Sequence, residues 1–107
     1  MSKSTNRAAG GEQIPVDVGE RMKALRDEID SLDIQIVLLL NQRATCALGI
    51  GRLKDSVGLE TYQPGREVEV LEHARQANDG PLEAAAITRL FERIIDENRR
   101  LERFAEK

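Results

Sequence analysis

The chain has 107 residues, 40% hydrophobic, 33% charged and 3% aromatic, and carries a formal charge of -3. That length holds one domain and leaves no room for a second catalytic or regulatory one. One Cys and one His exclude a disulfide framework and any Cys- or His-cluster metal site. The charge balance and the lack of Trp leave neither a cationic field nor a stacking platform for nucleic acid. No run approaches the roughly 18 apolar residues of a membrane span. No apolar leader follows the first residues, so a cytoplasmic protein is expected.

Residues 1–16 read as a disordered tail, polar and rich in Gly, Ser and Ala, and 17–107 as one helical domain. Asp17 with Glu20 forms a capping-box-like start. From there Met22, Leu25, Ile29, Leu32, Ile36, Leu39, Cys46, Ile50 and Leu53 repeat at alternating spacings of three and four, a heptad seam without proline. The spacing predicts a helix over about 18–55, roughly 52 Å for its central 35 residues at 1.5 Å each. A compact chain of this length is only about 34 Å across. The helix outruns its own monomer, and an identical chain is the simplest cover for its ends.

Ser56-Val57-Gly58 ends that helix, and Pro64 suits the first turn of a second. The second carries Val68, Leu71 and Ala74 on one face and should stop at Asn78-Asp79-Gly80. Pro81 opens a third helix of about 23 residues, with Ile87, Leu90, Phe91, Ile94, Ile95, Leu101 and Phe104 on its apolar side. No segment reads as a strand. The expected fold is all-α: three helices, very long, medium and long, sharing one core in an intertwined homodimer.

The polar residues on apolar faces carry the functional information. Position 43 in the seam is Arg, and positions 39, 40, 46 and 47 around it are Leu, Leu, Cys and Ala. A core charge without a local acid costs several kcal/mol unless paired, so Arg43 either snorkels out or binds an anion. Lys54 lies eleven residues on, about three turns and roughly 16 Å away on a similar side of the helix. The two could flank a small dianion. Arg26, roughly 25 Å before Arg43, cannot share that site in one chain but could enter a partner's. Taken alone, Arg26 and Lys54 also fit solvated flank charges.

On the third helix Asn98 falls in line with the apolar stripe, and Glu102 follows at i+4. Glu102 either faces the same cavity or pairs on the surface with Arg99. Glu67, beside Arg66, also fits a first-turn acid complementing the helix dipole. His73 reads as a surface or interface residue, and Cys46 as a small core hydrophobe.

These residues resemble the all-helical class of chorismate mutase. Leu25-Arg26-Asp27-Glu28-Ile29-Asp30 with Leu32-Asp33 resembles that family's opening signature. Leu39-Leu40-Asn41-Gln42-Arg43 and Gly51-Arg52-Leu53-Lys54 match its next two elements, Tyr62-Gln63-Pro64-Gly65-Arg66-Glu67 the fourth, and Ile87, Leu90, Phe91, Ile94 and Ile95 its final helix. The match covers about residues 20–104, five elements in order.

The resemblance implies an isomerase that converts chorismate to prephenate in phenylalanine and tyrosine biosynthesis, without cofactor or metal, through an intramolecular Claisen rearrangement. It implies that Arg43 and the partner's Arg26 grip the two substrate carboxylates. Lys54 would contact the ether oxygen and Glu67 would accept from the ring hydroxyl. Arg66 would order that wall, Ile50 would supply apolar surface, and Asn98 would hold a carboxylate. Gln63 stands where some members have Asp. Glu102 stands where some have Gln, a donor to the ether oxygen; an ionised Glu cannot donate, so Glu102 is expected to act protonated. Two other readings stand beside this one: an isochorismate pyruvate lyase, similar in fold and cationic site, and a non-catalytic helical adaptor. Feedback regulation, in a chain of this size, would come through a partner enzyme.

Overall fold

The computed structural model describes residues 13–60 and 63–105. Residues 1–12 of the expected tail lie outside them, as does Tyr62 of the fourth sequence element. Three helices follow in order: α1 (Val16–Ser56), α2 (Pro64–Ala77) and α3 (Ala84–Ala105). The remaining described residues form connections, and none is a strand.

The chain divides into two units, one up to Leu38 and one from Leu39 onward. In the first, α1 starts one residue before the expected cap. The Pro15 carbonyl accepts the Gly19 N–H at 2.9 Å, so Asp17 is a first-turn acid favoured by the helix dipole. Lys23 and Asp27 pair on the surface at 2.9 Å. The seam residues of this unit face outward: Leu25 is 61% exposed, Ile29 54% and Leu32 47%.

One expectation is corrected here. An 18-residue stretch of α1 is, by length and composition, apolar enough to cross a membrane. Counting unbroken apolar runs misses it, because uncharged Gln35, Asn41, Gln42 and Thr45 interrupt the run without adding charge. Arg43 is the single charged residue between Asp33 and Arg52. The stretch carries the later part of the heptad seam, Ile36, Leu39, Cys46 and Ile50.

In the second unit, α1 ends in a Schellman motif. The Leu59 N–H reaches back to the Lys54 carbonyl at 2.8 Å and the Gly58 N–H to Asp55 at 3.3 Å. Gly58 takes φ +74°, a conformation that costs glycine little. This terminator fixes Lys54 in the last turn.

Pro64 occupies the first turn of α2, where its missing N–H is not needed. The Arg66 and Glu67 N–H groups donate to the Gln63 carbonyl. At the other end the Asn78 side chain accepts from the Gly80 N–H at 3.0 Å and donates to the Leu82 carbonyl at 2.8 Å. This turn keeps Pro81 out of α3, correcting the expected start. The Ile87 N–H bonds the Glu83 carbonyl, and α3 begins at Ala84.

α2 packs against α3. Arg75 ties them polarly: it donates to Thr88 at 3.2 Å and to Glu72 at 2.7 Å. That hydrogen bond and the Arg75 charge hold the Glu72 carboxyl below its usual range. His73 is exposed on α2, as expected.

Among the described residues none is buried. A chain that leaves Leu25, Ile29, Leu32, Ile36, Leu39, Ile50 and Leu53 of its seam exposed has too little apolar burial to offset the entropy of ordering three helices.

Candidate functional site

The second unit holds a cleft of about 250 Å³, a small-molecule scale. It lies where α1 stands off from α3 and the two meet through long side chains. Arg43 of α1 donates to the amide oxygen of Asn98 on α3. One turn further along α3, the Glu102 carboxylate reaches α1, where a Cβ on Gly51 would stand 3.5 Å from it. The α2 N-terminus closes the third side.

Eight of the nine residues singled out from the sequence line this cleft. Arg43, Ile50 and Lys54 come from α1, Gln63, Arg66 and Glu67 from the start of α2, and Asn98 and Glu102 from α3. The ninth, Arg26, sits on α1 in the first unit and is not among the lining residues. The local causes are simple. Arg43, Ile50 and Lys54 fall at spacings of seven and four, two turns and one turn of one face. Gln63 and Glu67 are brought in by the Pro64 helix start. Asn98 and Glu102 are one turn apart on α3.

Arg43 therefore has a partner, and it is neutral. Asn98 satisfies one of five guanidinium donors and leaves the positive charge uncompensated. Arg66 lines the cleft and also pairs outward with Glu69 at 3.2 Å. Glu67 is ion-paired with Arg99 across the α2–α3 contact.

Arg99 is the site residue that sequence reasoning misses. Sequence offers it only as a surface partner for Glu102, because spacing along one helix shows i,i+3 neighbours and nothing across helices. Cys46 is corrected as well: it is a free, exposed thiol lining the cleft beside Arg43, not a core hydrophobe. Its seam position aims it at the space between helices, and no apolar core fills that space in the single chain.

The charge inventory defines what the cleft can hold. Arg43, Lys54, Arg66 and Arg99 stand against Glu67 and Glu102. The excess of cations suits a dianion, and the two carboxyls suit neutral hydroxyl or ether oxygens. Among the described residues there is no group of His, Cys, Asp or Glu able to hold a metal ion.

Residues 25–103 match the chorismate mutase type II family. The chain belongs to the chorismate mutase type II family. A bifunctional chorismate mutase/prephenate dehydratase of Pseudomonas aeruginosa is 41% identical over 81 residues, 71% of this chain and 22% of that protein. One of Neisseria gonorrhoeae is 41% identical over 78 residues, 73% of this chain and 21% of that protein. The chain thus spans about a fifth of the length of the curated relatives it matches. The solved chorismate mutase of Thermus thermophilus (form II) is 37% identical, with a TM-score of 0.75 over 78% of this chain and 94% of that one. This is the all-α, three-helix fold of chorismate mutases, with its long first helix. The apolar stretch of α1 lies inside the family match, so the helix that could span a membrane by composition is part of the chorismate mutase domain.

Proposed function

We propose that this chain catalyses the rearrangement of chorismate to prephenate as a homodimer. The observation that carries the reading is the convergence of Arg43, Lys54, Glu67, Asn98 and Glu102 on one small cleft in a chain of this family. In the reaction the ether C–O bond breaks as a C–C bond forms within one molecule. No group is transferred and no nucleophile is needed. The site must fold the substrate into its reactive shape and stabilise the charge that grows on the ether oxygen.

Each residue has a role that fits its chemistry. The guanidinium donors of Arg43 not taken by Asn98 hold one substrate carboxylate. The Asn98 amide oxygen is occupied by Arg43, so its N–H₂ end is the one able to donate to a carboxylate. Lys54 meets the ether oxygen from the last turn of α1. Glu67 accepts from the ring hydroxyl, Arg66 and Gln63 order that wall, and Ile50 supplies apolar surface.

Dimerisation is supported by the outward seam. Leu25, Ile29, Leu32, Ile36 and Leu39 are all 47% exposed or more in the single chain. Burying side chains of this kind contributes about 1.5–3 kcal/mol each. A second copy, rather than lipid, covers them in this reading, and the partner subunit's Arg26 completes the site. Leu32→Glu is expected to leave the chain largely unfolded at micromolar concentration. Circular dichroism and sedimentation check this; a helical monomer would contradict the shared core. A cytoplasmic enzyme fits the free thiol of Cys46.

In this reading Glu102 binds substrate in its protonated form and donates to the ether oxygen, against the pull of the Arg43 and Lys54 charges in the same cleft toward its carboxylate. The parent rate should then fall toward alkaline pH, whereas Glu102→Gln, a permanent donor, should keep its rate there. A parent profile flat from about pH 5 to 9 would contradict this role. Binding is tested directly by a bicyclic ether analogue of the transition state. At millimolar concentration it should raise the melting temperature, and an unchanged melting temperature would favour a non-catalytic helical module.

A further inference from the structure

Glu67 reaches the cleft already paired. Arg99 forms an ion pair with it from the neighbouring helix. The other terminal nitrogen of Arg99 lies 3.4 Å from Asp96, three residues back on α3. The pair differs from the ordinary surface pairs of this chain. Its side chains are 29% and 31% exposed, against 78% and 62% for Lys23–Asp27 and 61% and 62% for Arg66–Glu69. Wet pairs of the latter kind contribute little. A half-desolvated pair that joins two helices at a cleft wall restricts where its carboxylate can go.

We propose that Arg99 is a positioning residue that keeps Glu67 ionised and aimed into the cleft. The inference rests on the mutase reading, which gives Glu67 its role as acceptor for the ring hydroxyl. The charged groups lining the cleft with Glu67 are Arg43 and Lys54 from α1, Arg66 from α2, and Arg99 and Glu102 from α3. In that reading a dianionic substrate takes up the charge of Arg43 and of the partner's Arg26. Its own negative charge then disfavours a nearby carboxylate. Arg66 also engages Glu69 outside the cleft. Arg99, anchored at Asp96 and Glu67, is the cation bonded to Glu67 itself, so it keeps the acceptor charged while the substrate is bound. Only the ionised carboxyl is acceptor-only; a protonated Glu67 could present a donor to the hydroxyl instead.

A double-mutant cycle read across pH tests this. Parent, Arg99→Ala, Glu67→Gln and the double variant are compared by kcat/KM, with Arg99→Lys as the conservative variant. Arg99→Ala is expected to lose about tenfold or more at neutral pH, and its activity should fall off on the acid side at least about half a pH unit earlier than the parent's. Arg99→Lys should recover part of the loss. In the Glu67→Gln background, removing Arg99 should cost less than about twofold, because its effect runs through Glu67. Arg99→Gln replaces Arg99→Ala throughout the cycle if the alanine variant does not fold. Equal losses in both backgrounds, or an acid limb that does not move, would overturn the assignment. An active parent with additive losses overturns this inference alone; a parent without mutase activity overturns the functional reading and this inference with it.

Discussion

Replacing Lys54 by alanine is expected to lower kcat by about 10² to 10³, or roughly 3 to 4 kcal/mol of transition-state stabilisation. The fold should survive. The helix terminator at this point uses the Lys54 carbonyl and the positive φ of Gly58, not the lysine side chain. What the side chain gives the helix is a cation in its last turn, typically about 0.3–1 kcal/mol. The melting temperature of the variant, measured beside its rate, checks that the fold is kept. The charge on the ether oxygen grows only as the C–O bond breaks, so the loss belongs to kcat more than to KM. A Lys54→Ala enzyme within about fivefold of the parent kcat would remove Lys54 from the reacting centre.

Arg26→Ala and Arg43→Ala should each abolish most activity as pure proteins, yet restore one another when mixed. If each site takes Arg43 from one protomer and Arg26 from the other, a mixed dimer holds one intact site and one doubly deficient one. Random exchange makes half the dimers mixed, so about a quarter of the parent's sites return. The mixture must be unfolded and refolded together, because chains that share a core do not exchange quickly. Recovery near that level, with each variant alone inactive, shows that the site is built from two chains. No recovery, with both variants folded and dimeric, would leave Arg26 outside the site.

The helices are legible in the sequence where local chemistry sets them. Pro64 and the Asn78-Asp79-Gly80 turn mark both ends of α2, and Gly58 marks the end of α1. Pro81 misleads because it looks like a helix start, while the Asn78 side chain builds a turn that carries the chain past the proline. The site is legible through one anomaly, the lone arginine in an apolar seam. From Arg43 the periodicity leads along one helix to Ile50 and Lys54. It does not lead to Asn98, which is 55 residues away in sequence and bonds Arg43 directly. Arg99 escapes for the same reason: its partner Glu67 lies on another helix, and nothing in helical spacing joins them. Cys46 reads as core because a seam position implies burial, but in the single chain the seam lines a cleft.

Composition alone leaves three readings open. The stretch of α1 between Asp33 and Arg52, apolar with one charge, reads as a membrane span, as a coiled-coil seam or as a dimer core by the same arithmetic. Arg43 bonded to Asn98, in a cleft that Glu102 and the start of α2 also line, favours a site between packed helices over a lipid-facing surface.

The reaction is tested by incubating the purified chain alone, separately, with chorismate and with isochorismate. Chorismate should be consumed with prephenate as the product and with no metal or cofactor added, and isochorismate should yield no pyruvate. Chorismate left unchanged by a folded, dimeric chain, or pyruvate released from isochorismate, would contradict the mutase reading.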